Sequence, residues 1–262
     1  MNLAQGFQLF GTAAFVIGSA IVAVALLRLA GRTRQRPEFL LGTGILGTAV
    51  LGYGLLISDQ IVRMGIAQSG GEIDTTMVVW QGAGKVLHNV GVSAFLLFVI
   101  EVFHKRDRWA HVLAAGLLTA LWGGLAWGAI FDHSFRDVAV LRPAWWVEYA
   151  IIWTYQGWLC IEALRYWTIM RRRGRLGLAD PMLTNRFALW GAASTFSLIA
   201  IWTASSPIFV MDRPEALAAI MPIVYYGTSI AGLASVSCSY LTFLPPAWYS
   251  RRIAARAARQ GA

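Results

Sequence analysis

Charged residues are scarce in this sequence of 262 residues: only 13% are Asp, Glu, Lys or Arg, while 57% are hydrophobic. Ordinary soluble domains carry about 25% charged residues, so this composition excludes a soluble domain and predicts an integral membrane protein. Cysteine is equally scarce. The two cysteines, Cys160 and Cys238, both lie in apolar stretches, which favours packing residues over a disulfide or a metal site.

The sequence also lacks the short motifs of common catalytic sites. HExxH, GxSxG, CxxC and P-loop patterns are all missing, so nothing in it predicts an enzyme. A formal net charge of +9 would suit nucleic acid, but sixteen of the 22 Lys and Arg residues fall in four short segments between apolar stretches. This distribution predicts one face of a membrane as the location of the charge and argues against a nucleic-acid partner.

Seven apolar segments are long enough for helices that cross a hydrocarbon layer of about 30 Å at about 1.5 Å per residue. The predicted spans are residues 8–30, 39–62, 80–103, 109–131, 144–170, 187–205 and 216–244. Residues 65–79 form a predicted outer loop and residues 171–186 a basic inner loop. The positive-inside rule places the N-terminus outside and the C-terminus inside. We therefore predict an all-α seven-transmembrane helix bundle over residues 1–246, a multi-pass protein of the bacterial inner membrane.

Residues 247–262 predict a short amphipathic helix after the last span. Its arginines would lie along the inner membrane surface, attracted to anionic lipid of the bilayer. A second arginine cluster follows the fifth span and is predicted to contact a partner protein. The residues predicted to contact a partner or lipid are Arg171, Arg172, Arg173, Arg251 and Arg252.

The fifth span, residues 144–170, sets the depth and direction of the predicted bundle. Aromatic residues at both of its ends suit the two membrane–water interfaces, and arginines follow its inner end. Glu148 and Glu162 lie roughly 21 Å apart on one face of this helix. Because a carboxylate that faces lipid is costly, we expect this face to point into the bundle. The glycines of the second span, Gly42, Gly44, Gly47, Gly52 and Gly54, predict close helix contacts.

Polar side chains share one depth near the predicted outer surface. The predicted ligand pocket consists of Asp59, Lys85, His88, Glu148, Tyr225 and Tyr226. If seven helices close a ring, these residues form a cup open to the outside, with Lys85 paired to Glu148 and shared with Asp59. The alternative is a structural ion pair that fixes the helix register.

A second group of charges lies near the predicted inner surface. Glu101 and Lys105 have i,i+4 spacing, and Glu162 and Arg165 have i,i+3 spacing. They predict an ionic latch that breaks when the bundle rearranges. Local surface pairs that reach toward the interface are the alternative.

No cofactor is favoured. His104 and His111 have suitable depth for a b-type haem, but His88 and His133 are poorly matched as a second pair. The last span has no lysine for a retinal Schiff base, and Lys85 is the only lysine within a span. Twelve tryptophans would suit a carotenoid or a quinone, although interface anchoring and core packing explain them without any ligand.

Two stretches carry a resemblance to a known family. RPEFLLGTGILGTAVLGYGLL (residues 36–56) follows the first basic loop, and LTFLPPAWYSRRI (residues 241–253) leaves the last span. In these stretches and in its topology, the chain resembles the seven-transmembrane sensor modules that precede histidine kinase or cyclase domains in bacterial receptors. The resemblance implies a sensory role but names no ligand and no binding residues.

Three functions remain open from the sequence. The favoured one is a receptor-like sensor whose outer pocket signals to a separate protein effector, since we expect the chain to end at Ala262 without a catalytic domain. The second is a proton or cation transporter or channel that uses Glu148 and Glu162. The third is an accessory subunit of a membrane complex with a bound pigment or haem. The oligomeric state is not predicted.

Overall fold

The computed structural model describes residues 3–69, 75–131, 135 and 143–260. Across these residues the chain is helical apart from short turns, and no strand occurs among them. Within the same residues, six helical segments are long and apolar enough to span a membrane. They are Leu3–Thr33, Arg36–Asp59, Thr75–Phe103, Arg108–Ile130, Pro181–Val210 and Pro214–Phe243. These findings confirm the all-α class and indicate a multi-pass membrane protein.

The α-helices are numbered in chain order. They are α1 (Leu3–Thr33), α2 (Arg36–Ile45), α3 (Tyr53–Ser69), α4 (Thr75–Phe103), α5 (Arg108–Ile130), α6 (Pro143–Gly174), α7 (Pro181–Ser205), α8 (Pro214–Phe243) and α9 (Ala247–Gln260). A π-helical segment, Leu46–Gly52, joins α2 to α3, and a 3-10 segment, Ser206–Val210, follows α7. The second predicted span is therefore a helix interrupted by a π segment, which hydropathy did not predict.

The helix α6 contains the predicted fifth span but is not one of the six apolar segments. Its 32 residues are more than enough to cross a membrane. Its many Trp and Tyr residues and its two glutamates lower its mean hydropathy, so composition alone does not mark it as a span. The count of seven spans therefore stays a prediction.

Two predicted loops are shorter than expected. In the predicted outer loop 65–79, α3 continues to Ser69 and α4 already begins at Thr75. In the predicted inner loop 171–186, only residues 175–180 lie between helices. Asp180 caps α7 by accepting a hydrogen bond from the Met182 backbone N–H at 2.9 Å. Pro181 follows as the first residue of α7, a position whose backbone N–H has no partner within the helix, so a proline there costs no hydrogen bond. The predicted spans stop where the apolar residues stop, whereas the helices continue through polar residues to their caps. The loops between the helices are therefore shorter than predicted.

The chain divides into two compact units. The first contains Met1–Val22 and Gln156–Ala262, and the second contains Ala23–Tyr155. The helices α1 and α6 therefore each contribute residues to both units.

In the second unit, α4 is the central helix, because α2, the π-helical segment, α3 and α5 all pack against it. Glycines bring two of these backbones into direct contact. A Cβ atom on Gly47 would lie 2.7 Å from the Gly91 Cα atom, and one on Gly91 would lie 2.5 Å from the Thr48 backbone nitrogen. The prediction of close glycine contacts is confirmed here, whereas Gly54 faces open space.

In the first unit, α7 and α8 form a closely packed pair. The Ser235 hydroxyl donates to the Ala193 carbonyl at 2.9 Å, and the hydroxyls of Ser197 and Ser235 lie 2.8 Å apart. Such small hydroxyl residues let membrane helices approach closely. On the other side of α7, the buried Cys160 packs with its sulfur 3.3 Å from the Thr195 hydroxyl. Cys160 and Cys238 are both free, and Cys238 is half-buried.

The amphipathic C-terminal helix is present as α9, and it packs on α7. The Asn185 amide donates to the Tyr249 hydroxyl at 2.9 Å. This bond fixes the start of α9 beside the first turns of α7. Arg251 and Arg252 are exposed on the same helix.

Candidate functional site

A polar stripe runs along α4 in the second unit. Gln81, Lys85 and His88 recur at i, i+4 and i+7, so they share one face of the helix, and Asn89 follows Lys85 at i+4. All of them lie within the candidate span Thr75–Phe103. Polar groups at that depth need partners inside the protein, because lipid offers none.

Lys85 is the charged centre of this stripe. Its ammonium nitrogen donates to the Glu148 carboxylate of α6 at a distance of 2.7 Å, which is the pairing that the sequence predicted. The two side chains are 15% and 21% exposed. The pair is therefore only partly buried, unlike an ion pair that is sealed in a core.

Three polar atoms beside the pair are buried and make no hydrogen bond of ordinary geometry with a described residue, although the side chains of His88 and Asn89 interact with each other. They are Gln81 Oε1, His88 Nδ1 and Asn89 Oδ1. Gln81 is 8% exposed and Asn89 only 1%. An unpaired buried polar group costs about 1–3 kcal/mol, and native proteins usually satisfy it with water or a ligand. Three such groups along one stripe point to a place where something polar binds.

The orientation of the Asn89 side chain follows from its neighbour. Its amide nitrogen donates to the Leu121 carbonyl of α5 at 3.4 Å. A carbonyl oxygen only accepts, so the NH₂ group faces Leu121 and the Asn89 carbonyl oxygen is the unpaired atom. One turn further along α4, the Trp122 indole donates to the Ser93 hydroxyl at 3.1 Å. These two contacts hold α5 beside the stripe and leave an acceptor unused.

His88 connects the stripe to the π-helical segment. A Cβ atom on Gly52 would lie 2.7 Å from the His88 Cβ atom, so the histidine packs directly on the backbone of that segment. Its ring also interacts with the charges of Lys85 and Glu148 and with the Asn89 side chain. Short π segments interrupt the regular helical register and are frequent at functional sites. Here the segment ends beside a half-buried polar side chain whose Nδ1 atom is buried.

Asp59 belongs to a different arrangement from the one predicted. It does not share Lys85; instead, the Arg63 guanidinium donates to the Asp59 carboxylate at 2.6 Å, and both side chains are buried. Arg63 also donates to the backbone carbonyls of Phe135, at 2.8 Å, and Met77, at 3.4 Å. Arg63, one turn further along α3, is therefore the partner of Asp59. Through its backbone contacts, Arg63 joins α3 to the start of α4 and to the chain after α5.

Tyr225 and Tyr226 lie on α8, which belongs to the first unit. The Tyr226 ring packs on the Phe7 ring of α1, with 5.4 Å between the ring centroids. Within the second unit, the candidate site consists of Gln81, Lys85, His88, Asn89 and Glu148.

Both predicted inner pairs are present, and each joins residues close together in the sequence. Lys105, in the turn after α4, lies 3.1 Å from Glu101 of α4, and Arg165 lies 3.6 Å from Glu162 on α6. The two cations are 72% and 61% exposed. Such pairs form without any second helix, so the contacts favour local pairs, each with an exposed cation, although Glu162 itself is buried. The latch stays a prediction.

The histidines at the turn between α4 and α5 are held by Asp107. His104 Nδ1 lies 2.8 Å from the Asp107 carboxylate, and His111 Nδ1 lies 2.9 Å from the Asp107 backbone carbonyl. His133 lies outside the described residues. In the part of the chain that the structure describes, no three His, Cys, Asp or Glu side chains form a metal site.

Gln81 and Asn89 are the members of the site that sequence reasoning missed. A signal was present, because both lie four residues from Lys85 and so flank it on α4. Neither is ionisable, and a search for charged groups alone passes over them.

No protein family, no curated protein and no solved structure matches this chain. Its function is therefore inferred from the site itself.

Proposed function

We propose that this protein is a receptor-like membrane sensor that binds a small polar ligand between α4 and α6. The observation that carries the proposal is the group of three unpaired polar atoms, on Gln81, His88 and Asn89, beside the accessible Lys85–Glu148 pair. A purely structural ion pair needs no further polar atoms around it. Unused acceptors next to a reachable charge suit a ligand that brings hydrogen-bond donors and a charge of its own.

The proposed topology has seven spans, with α6 as the fifth, the N-terminus outside and the C-terminus inside a bacterial inner membrane. Support for α6 comes from its polar stripe, whose members are all buried or half-buried. They are Trp145, Glu148, Ile152, Tyr155, Leu159, Glu162 and Tyr166. A helix that hides its glutamates in this way suits a position inside a bundle. In this topology the Lys85–Glu148 pair lies toward the outer surface.

The proposed signal passes through a shift in helix packing to a separate effector at the inner end. Two alternative packings of the π-helical segment against α4 would change the surroundings of His88, so ligand binding could favour one of them. Arg171, Arg172 and Arg173 lie in the last turn of α6 and are exposed. They are the proposed read-out surface, together with α9.

Transport of protons or cations is the main alternative. It requires a path between Glu148 and Glu162, roughly 21 Å apart along α6. The stripe between them presents Tyr155 and Leu159, both buried. Few polar side chains are therefore available to pass a proton or a cation along it. The three unpaired atoms beside Lys85 lie on α4 rather than along this path, which favours binding over passage. An accessory role in a larger complex would instead be indicated by stable co-purification with one partner.

Thermal melting of the purified protein in mild detergent tests the binding proposal. The panel consists of small amines, carboxylates and amino-acid zwitterions, each added at a range of concentrations. A compound that binds only the folded state at 100 times its Kd stabilises it by about 2.7 kcal/mol, which raises the melting temperature. We expect at least one such compound for the wild type.

Matched variants locate the binding. Glu148→Gln is expected to lose the ligand-induced rise in melting temperature, whereas Glu101→Gln, which removes the carboxylate that pairs with Lys105 at the end of α4, is expected to keep it. Equal rises in both variants would place the ligand elsewhere. No rise with any compound, combined with proton flux into liposomes that Glu148→Gln abolishes, would replace the sensor with the transporter.

A further inference from the structure

Two leucines are exposed on the turn between α6 and α7 in the first unit. Leu176 is 74% exposed and Leu178 is 73% exposed. Arg173 and Arg175 lie immediately before them and are exposed as well. A surface that presents bare leucines and arginines together differs from an ordinary solvated loop, in which polar residues replace the leucines.

The turn is a built structure and holds the leucines outward. Gly177 has a φ of 69°, a left-handed conformation that suits glycine at the end of a helix. The backbone N–H groups of Leu176 and Leu178 both donate to the Arg173 carbonyl, at 3.0 and 2.9 Å. The Gly177 N–H donates to the Gly174 carbonyl at 3.0 Å. The chain therefore reverses on hydrogen bonds, and the leucine side chains flank the glycine.

The turn lies at one end of a candidate membrane span. Asp180 ends the turn and caps α7, whose first residue, Pro181, begins the span Pro181–Val210. The same end of α7 carries α9, through the bond between Asn185 and Tyr249. The helix α9 adds Arg251, Arg252 and the side chain of Trp248, which is 58% exposed. One end of the first unit thus combines exposed apolar side chains with a dense positive charge.

We propose that this surface, formed by residues 171–178 and α9, docks on the anionic phospholipid of the protein's own bilayer. Leu176, Leu178 and Trp248 would enter the boundary between headgroups and acyl chains, and the arginines would bind the headgroup phosphates. An acidic protein would satisfy the arginines but has no particular use for leucines at the level of a span's end. Lipid satisfies both. This inference is independent of the proposed ligand site on α4, but it assigns Arg171, Arg172, Arg173 and α9 to lipid, so it excludes the proposed effector as the partner of this surface.

A fluorescent label at position 178 tests the proposal. The experiment uses Leu178→Cys in the full chain with Cys160→Ala and Cys238→Ala, labelled with an environment-sensitive dye. The protein is reconstituted in nanodiscs of phosphatidylcholine alone or of phosphatidylcholine with phosphatidylglycerol. We expect blue-shifted emission and protection from an aqueous quencher in the anionic discs, and a clear loss of both in the zwitterionic discs.

Charge variants separate lipid binding from simple proximity to the membrane. The triple variant Arg171→Gln, Arg172→Gln and Arg173→Gln is expected to lose most of the anionic-lipid effect. Arg213→Gln is the control, because it removes an exposed arginine at the opposite end of α8, and it is expected to keep the effect. An equal loss in both variants would contradict the proposal.

Hydrogen–deuterium exchange of the unlabelled wild type gives a second readout that needs no cysteine replacement. Amides of residues 175–180 are expected to exchange several-fold more slowly in anionic than in zwitterionic nanodiscs. Equal exchange in the two discs, with a label that stays accessible to the quencher in both, would overturn the proposal and leave this surface to the proposed protein effector.

Discussion

Lys85 on α4 and Glu148 on α6 form an ion pair of 2.7 Å although 63 residues separate them in the sequence. Because the two side chains come from different helices, the pair joins α4 to α6 within the second unit. Both side chains remain partly accessible. The pair therefore has a structural effect that stability measurements detect, and the proposed binding role adds to that effect.

Removing one partner of the pair is predicted to destabilise the protein more than removing both. Lys85→Met or Glu148→Gln alone should lower the free energy of unfolding by about 1–3 kcal/mol, less than the 3–5 kcal/mol of a fully buried pair, because these side chains are only partly buried. A double-mutant cycle of melting temperatures measures the coupling. Additive losses from the two replacements would show that the pair contributes no coupling.

Gln81 is predicted to lower the stability of the ligand-free protein, because its unpaired carbonyl oxygen is kept for ligand binding. Gln81→Met removes a buried, unpaired carbonyl oxygen and keeps the side-chain length, so the ligand-free protein should be as stable as the wild type or more stable by about 1 kcal/mol. Gln156→Met is the matched control. Gln156 is also buried, but its amide nitrogen donates to the Ser194 carbonyl at 3.4 Å, so its loss should destabilise. A Gln81→Met protein with a clearly lower melting temperature would show that Gln81 has a structural partner.

The contact between the π-helical segment and α4 is predicted to tolerate no side chain at Gly91. Gly91→Ala would place a Cβ atom 2.5 Å from the Thr48 backbone nitrogen, so the helices must separate, at a cost of about 1–3 kcal/mol. Gly54→Ala is the control, because nothing lies within 4 Å of its position, and alanine favours a helix by up to about 1 kcal/mol. Melting temperatures that fall for Gly54→Ala and stay unchanged for Gly91→Ala would contradict this packing.

Arg63 is predicted to be essential for folding of the second unit without taking part in binding. Arg63→Met leaves the buried Asp59 carboxylate unpaired, with an expected loss of about 3–5 kcal/mol. Adding Asp59→Asn should recover part of it, because the uncompensated charge is then gone. The amount of folded protein after membrane extraction measures both effects. Normal yield and melting of Arg63→Met would show that the Asp59–Arg63 contact is unimportant.

The features that could be predicted from the sequence are those that depend on hydropathy or on the spacing of residues along one helix. Hydropathy predicted the all-α membrane class, and i,i+3 or i,i+4 spacing predicted the pairs Glu101–Lys105 and Glu162–Arg165. Lys85–Glu148 was also within reach, because an ionisable group inside a membrane span requires a partner at its own depth.

The remaining features depend on packing between helices. The π-helical segment Leu46–Gly52 lies where Gly47 meets Gly91, and no local pattern indicates that contact. Asp59 was assigned by depth, whereas the nearer Arg63 on the same helix pairs with it. The unpaired state of Asn89 depends on its neighbour Leu121, which is distant in sequence. Whether α6 crosses the membrane is not decided by its composition.

Access to the stripe from the outer side is the most direct test of the proposed receptor. Gln81→Cys and Lys85→Cys, each made with Cys160→Ala and Cys238→Ala, are exposed to a membrane-impermeant maleimide in sealed vesicles of known orientation. Leu96→Cys, at a fully buried position of α4, is the unreactive control. The proposal predicts that both stripe cysteines react from the outer side and that Leu96→Cys does not. Stripe cysteines that react no faster than Leu96→Cys, or only from the inner side, would contradict an outward-facing ligand pocket.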